Sequence, residues 1–323
     1  MQRLAVLTGG ADAPGMNAAI RAVARAADAA GVATLGVRRG FRGLVEGDVR
    51  PLDARAVSGV LATPGTLLGT SDCPEFRTSE GRRRARTQLD LAEVDGLVVI
   101  GGRGSMHAAD VLSRESDLGV VGVPATIDHD VVGTDVSIGL DTAVNTALAS
   151  IDQIRHSAAS AGRLYLVEVA GRTSGWGALL TGVAGGASAV AIPEQPLDVA
   201  HLTDAARRAF AIGKRFCLLV VAEGEEPGRV YDLAGRLREA LDGIPTRVAA
   251  IGEVQRGGVP SLADRLLGST LGDGAVRALL DGEDRVLVGQ RCGTVIRTSL
   301  SRTWSGVPEP AAELSALLER LSR

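Results

Sequence analysis

Val98-Val99-Ile100-Gly101-Gly102-Arg103-Gly104-Ser105-Met106-His107 decides how this chain is read. An apolar run from Val94 to Ile100, broken by Asp95 and Gly96, stops at three glycines within four residues. From Ser105 onward Met106, Ala109, Val111 and Leu112 fall at helical spacing. An apolar strand, a glycine turn and a serine-capped helix point backbone N–H groups and a positive helix end at a phosphate. Glycine there lets the backbone approach a ligand closely and reach positive φ. Alone, Gly-Gly-x-Gly would serve equally as a tight βα connection. Two further stretches raise it above that: Leu4-Ala5-Val6-Leu7-Thr8-Gly9-Gly10-Ala11-Asp12-Ala13-Pro14-Gly15-Met16-Asn17-Ala18-Ala19-Ile20-Arg21, and Pro124-Ala125-Thr126-Ile127-Asp128-His129-Asp130.

Strands and helices alternate throughout, which predicts an α/β protein with a parallel sheet covered on both faces. Strands are expected at Leu4–Thr8, Val32–Val37, Val120–Val123, Leu164–Val169, Ala189–Ile192, Phe216–Val221 and Ala249–Val254, with a late hairpin of Val286–Val288 and Thr294–Arg297. Helices are expected from Pro14 to Asn17 onward and over 54–61, 79–90, 141–154, 199–212, 231–241, 261–281 and 309–322. At 323 residues the chain is long enough for two domains and a large core. Aromatics make up only 2%, so Ala, Val, Leu and Gly must fill that core. A net charge of −3 gives no field for nucleic acid. Arg82-Arg83-Arg84 reads as a solvated helix face. Cys73, Cys217 and Cys292 are scattered without metal-ligand spacing, which suits reduced thiols in a cytoplasmic setting. The opening runs straight into a strand with no leader pattern, and no apolar run reaches membrane-span length, so no membrane partner is expected.

Together with Cys73-Pro74-Glu75-Phe76-Arg77, Val167-Glu168-Val169-Ala170-Gly171-Arg172, Ile192-Pro193-Glu194 and Val254-Gln255-Arg256-Gly257-Gly258, these stretches resemble the bacterial ATP-type 6-phosphofructokinase family over nearly the whole chain. The resemblance implies two Rossmann-like three-layer α/β/α domains, the phosphofructokinase fold. A larger phosphoryl-donor domain would take residues 1–138 plus 254–305, and a smaller sugar-phosphate domain 139–253 plus 306–323. It also implies a cytoplasmic, homotetrameric kinase that binds ATP or pyrophosphate and a sugar or sugar phosphate.

Asp128 is the strongest catalytic candidate, because it follows a buried strand at the carboxyl end where open α/β sheets place ligands. Phosphoryl transfer to a hydroxyl needs such a carboxylate beside it. The resemblance assigns Asp128 the base role, puts Thr126 against the transferring group and has Asp130 support the loop. Arg172 joins this catalytic set. Arg163, Arg247 and Arg256 fall at the family's substrate arginines, Gly171 and Glu223 at the sugar, with Arg163 and Arg247 supplied by a neighbouring subunit. Gly10, Ala11, Asp72, Arg77, Gly102, Arg103, Gly104 and Ser105 fall on the donor-phosphate side. Arg21, Arg25, Arg55, Arg155 and Lys214 match effector-site cations.

The sequence departs from that pattern at telling positions. Arg103 stands where the family has the Asp that organises Mg²⁺, and an arginine cannot ligate a cation that wants oxygen. Ala11 replaces a glycine, Asp72 an arginine and Cys73 an aromatic. A base became acidic while a nearby acid became basic, which predicts an Asp72–Arg103 ion pair across the donor site. On the acceptor side, Glu253 replaces a phosphate-binding histidine, His129 an Asn and Ala170 a methionine; Ser188 and Ile212 alter the effector set. No metal ligand set remains to be assigned. Two functions stay open. One is a phosphotransferase acting on a sugar or sugar phosphate with an altered donor site. The alternative is a catalytically silent or regulatory homologue that binds a metabolite or a partner subunit.

Overall fold

Leu4–Leu7 and Leu97–Ile100 are wholly apolar and wholly buried, and they pair in parallel. That is the signature of strands covered on both faces. The computed structural model describes residues 1–158, 162–224, 228–310 and 312–322. In chain order, β1 (Arg3–Gly9), α1 (Met16–Ala29), β2 (Ala33–Val37), α2 (Gly40–Glu46), β3 (Val49–Pro51), α3 (Ser79–Leu91), β4 (Gly96–Gly101), α4 (Arg103–Arg114) and β5 (Gly119–Pro124) come first. Then follow α5 (Leu140–Ala158), β6 (Arg163–Val169), α6 (Trp176–Ala184), β7 (Ala189–Ala191), α7 (Val199–Ala211), β8 (Phe216–Ala222), α8 (Arg229–Ala240), β9 (Thr246–Ala250) and α9 (Gly252–Arg256). The chain closes with α10 (Leu262–Leu280), β10 (Val286–Arg291), β11 (Thr294–Ser299), α11 (Leu300–Thr303) and α12 (Ala312–Leu321). It divides into two units, Met1–Thr142 with Val259–Val307, and Ala143–Gly258 with Pro308–Arg323.

The first unit carries a sheet in the order β11-β10-β5-β4-β1-β2-β3. Its inner strands are parallel, but β3 and β11 run antiparallel at the two edges. At the second edge Cys292 and Gly293 both have positive φ, as a two-residue hairpin turn requires. One face of the sheet packs on α2, α3 and α4 through Phe41, Leu44, Leu89, Met106 and Leu112. On α10, small residues let α1 come close. A Cβ on Gly272 would lie 2.6 Å from the Ala19 carbonyl oxygen, and one on Gly268 2.8 Å from that of Gly15. This close helix contact is how a chain with 2% aromatics fills its interior. Gly272→Val is expected to destabilise this unit by about 2 kcal/mol through overpacking, seen as a lower urea midpoint at unchanged slope.

The second unit has a four-stranded parallel sheet, β7-β8-β6-β9. Alternate residues of β6 and β8 serve opposite faces. Leu164, Leu166, Leu219 and Val221 meet α7 and α8, while Val167, Val169, Leu218 and Val220 meet α5 and α6. No helix among the described residues is long and apolar enough to cross a membrane.

Two expectations are corrected. Residues 54–61 do not form an α-helix: Asp53 Oδ1 accepts the N–H groups of Arg55 and Ala56 at 3.0 and 2.7 Å, as a helix cap would, but the chain stays in turns. Gly59 follows at φ 75°, and only a 3₁₀ turn forms at Val60–Ala62. The strand expected at Ala249–Val254 lies at Thr246–Ala250, and Gly252–Arg256 is helical. The sequence offered no reading of α2 or β3: glycines at 40 and 43 interrupt the helical pattern of the first, and the second is only three residues long.

Candidate active site

In the first unit the carboxyl ends of β1, β4 and β5 lie side by side. The turn after β1 leaves Gly10 at φ 79° with Gly10 and Ala11 exposed. The turn after β4 places Gly102 at the N-cap of α4, with no side chain capping the helix. Ser105 is therefore not the cap expected from sequence. It is buried inside the first turn, and its Oγ sits 2.6 Å and 2.5 Å from where a Cβ would stand on Gly9 and Gly101. Those two glycines are needed because the serine fills their side-chain space. Gly104, just before it, is exposed.

The loop after β5 folds onto this turn. A Cβ on Gly102 would meet Thr126 at 3.3 Å and Asp130 Oδ1 at 3.6 Å. Thr126 Oγ1 accepts the Asp128 N–H at 3.2 Å, and Asp128 itself is half-buried. Burial raises the Asp130 carboxyl above its usual range. Hydrogen bonds from its own N–H, Thr126 and the Arg103 N–H oppose that rise, as does the Arg103 charge.

Arg103 is the first residue of α4, and its Nε donates to the Trp304 carbonyl at 3.0 Å. The Asp72–Arg103 ion pair expected from the charge exchange does not form. Asp72 is exposed and lies 3.8 Å from Arg77, while Arg42 grips its backbone carbonyl at 3.0 and 3.2 Å. A guanidinium beside a buried carboxyl and a fixed carbonyl gains more than one reaching for a solvated carboxylate. A divalent cation at this turn, as the family pattern implies, would meet Arg103 in place of a carboxylate oxygen. Among the described residues no group of three or more His, Cys, Asp or Glu could hold a metal ion. Asp130 is then the carboxylate left at this turn.

His129 is also not where sequence put it. The expectation placed it against substrate, but it is 2% exposed, in the left-handed region at φ 51°. Its Nδ1 lies 3.1 Å from Ser137 Oγ, and Ser137 Oγ donates to the Thr126 carbonyl at 2.9 Å. Burial lowers its pKa to about 4, with a smaller opposing effect from Asp135, so the ring is neutral at pH 7. It braces the loop that carries Asp128.

In the second unit the carboxyl ends of β6 and β8 bring Gly171, Arg172 and Glu223 together. The Glu223 N–H donates to the Val169 carbonyl at 2.9 Å, and Gly171 has φ 146°. Gln255, 1% exposed, accepts the Ala170 N–H at 2.7 Å and donates to the Ala143 carbonyl at 3.0 Å, which fixes α9 beside them. Glu253 and Arg256 ride on that helix; Glu253 is exposed and Arg256 half-buried. Arg163 and Arg247 are not brought to this cluster. Arg163 opens β6 and Arg247 pairs with Tyr165 near the same end, so a seven-residue strand, roughly 20 Å, separates them from Arg172.

The expected effector cations divide between the units. Arg25 Nη2 donates to the Ala54 carbonyl at 3.1 Å, with Arg21 and Arg55 on the same unit. Arg155 is engaged inside the second unit by the Gly185 carbonyl and by the Phe216 ring at 5.1 Å, and Lys214 is half-buried.

Sequence reasoning gave no role to Glu168 or Trp304. Glu168 is 7% exposed; burial, then the charge of Glu223, raises its pKa, while the Val230 N–H at the start of α8 lowers it. Among the described residues its Oε2 has no hydrogen-bond partner. The signal was a lone carboxylate inside Leu164–Val169, an otherwise apolar strand.

Comparison with known proteins points one way. Residues 3–279 match the family described as Phosphofructokinase. ATP-dependent 6-phosphofructokinase 1 of Thermus thermophilus is 46% identical over 326 residues, covering 100% of this chain and 99% of that protein. Phosphofructokinase from Saccharomyces cerevisiae superposes with a TM-score of 0.87 at 35% identity, covering 93% of this chain and 45% of that one. A pyrophosphate-dependent phosphofructokinase from Marinobacter aquaeolei shares the fold, with a TM-score of 0.85 at 20% identity over 99% of this chain and 91% of its own.

Proposed function

This chain belongs to the phosphofructokinase family, and on that premise we propose that it is a phosphotransferase acting on a sugar phosphate, with ATP or pyrophosphate as donor and Arg103 in place of a metal ion. The observation that carries this is the packing of the Thr126–Asp130 loop on the Gly102–Arg103 turn. It sets a carboxylate, a hydroxyl and a guanidinium at the carboxyl end of one sheet. Asp128 takes the proton of the sugar hydroxyl as that oxygen attacks the terminal phosphorus. The bond from phosphorus to the bridging oxygen breaks, and ADP or phosphate leaves. Charge on the transferring group is met by Arg103 and the α4 N-terminus, in the manner of an arginine finger. Arg172, Arg256 and Glu223 would hold the anionic sugar. Arg163 and Arg247, a strand's length away, would serve a neighbouring subunit of a homotetramer.

The direct test is turnover with ATP and with pyrophosphate, each in excess Mg²⁺ and in excess chelator. Rates in chelator are expected within about threefold of those in Mg²⁺, because the cationic work is done by a side chain. Strict Mg²⁺ dependence would overturn the role given to Arg103. Failure of both donors to bind by calorimetry would favour the catalytically silent homologue, a reading that the exposed Ala11 methyl at the donor turn also supports.

A further inference from the structure

Only two tryptophans occur in this chain, and one of them closes on α4. Trp304 follows α11 and packs half-buried beside the core of the first unit. Three contacts join it to successive turns of α4. Its carbonyl accepts Arg103 Nε at 3.0 Å. Its ring lies on the His107 ring with centroids 4.2 Å apart and planes tilted by 35°. Its indole Nε1 donates at 3.1 Å to Asp110 Oδ2, a buried carboxylate that also holds Arg114 at 2.8 Å.

We propose that Trp304 is the positioning residue of the donor site, fixing Arg103 so that its guanidinium receives a metal-free phosphate group. This rests on the functional reading above, and it adds what makes an arginine adequate there. A long side chain held in advance loses less rotamer freedom when it binds. The Nε contact leaves both terminal nitrogens of the guanidinium for a phosphate. Because the acceptor on Trp304 is a backbone carbonyl, the side chain acts by holding that carbonyl still. The stack on His107 and the bond to Asp110 are its two anchors.

The test uses the full chain carrying Trp176→Phe, which leaves Trp304 as the fluorophore; Trp176 donates to the Pro308 carbonyl in the other unit. Inorganic pyrophosphate and ATP are titrated in chelator, with calorimetry alongside. Saturable change in Trp304 emission is expected, and it should vanish in Arg103→Met. In steady-state kinetics Trp304→Ala should raise the donor KM roughly tenfold to a hundredfold, the loss of one well-placed charged hydrogen bond. The sugar-phosphate KM should stay within about twofold, while kcat should fall as well, because Arg103 also meets the charge of the transferring group. Trp304→Phe keeps the stack and loses the Asp110 bond, so it should fall between, and it guards against a variant that fails to fold. Binding by calorimetry with no change in emission would overturn the proposal, as would equal effects of Trp304→Ala on both KM values. If neither donor binds the parent protein, the functional reading itself fails and takes this proposal with it.

Discussion

Asp128→Asn is expected to lower kcat by roughly a hundredfold to ten-thousandfold while leaving the donor KM within about twofold. The substitution keeps the size of the side chain and removes its capacity to take a proton. The Asp128 backbone N–H, held by Thr126 Oγ1, is the same in the variant. Thr126 in turn touches the Gly102 turn, so the donor contacts remain. A loss confined to kcat therefore separates proton abstraction from binding. Turnover equal to the parent's would remove Asp128 from the chemistry, and equal background in both proteins would remove the chemistry altogether. Arg103→Asp provides the complementary experiment. It restores an oxygen ligand at the first residue of α4, but it also leaves Asp130 and the new carboxylate facing each other without their cation. Activity in that variant should depend on added Mg²⁺ if it appears at all.

How much of this was legible in the sequence follows from what each feature rests on. The glycine turns after β1 and β4 and the Thr126–Asp130 loop were readable, because strand ends that meet ligands need particular residue types at fixed offsets. The alternating elements were readable for the same reason: buried parallel strands leave continuous apolar runs. Ser105 was misread because the preference of serine for helix caps is a general tendency, whereas here the space left by Gly9 and Gly101 decides its place. The Asp72–Arg103 pair was a reasonable inference from compensating charges. It failed because the partner Arg103 found is the carbonyl of Trp304, and a carbonyl carries no residue identity to read. His129 looked like a site residue by position, yet its ring turns inward where the loop needed a brace. Glu168 was visible as a carboxylate in an apolar strand, but its closeness to Glu223 depends on the pairing of β6 with β8.

His129 also makes stability depend on pH, by about 3 kcal/mol between neutrality and pH 4. The unfolded chain protonates this ring near the ordinary histidine value of about 6.5, whereas the folded protein resists until about 4. A depressed folded pKa contributes stability that is complete above the unfolded value and is lost as pH falls toward the folded one. At pH 5 about 2 kcal/mol of it should already be gone. The tautomer fits this account. Ser137 Oγ gives its hydrogen to the Thr126 carbonyl, so the His129 ring must donate from Nδ1 to Ser137 Oγ. Adding a proton brings a charge into a buried place, a cost that the Asp135 charge offsets only in part. His129→Asn removes the titrating group, and asparagine accepts a positive φ more readily than most residues. Urea midpoints of parent and variant, compared at pH 7 and pH 5, isolate the ring from the carboxylates that titrate in both. The parent should lose more stability than the variant over that interval, and the loop bearing Asp128 should loosen with it, so acid should inactivate the parent before it unfolds the variant. Parallel pH profiles in the two proteins would show that the ring is charged in the fold and that the brace beneath Asp128 is something else.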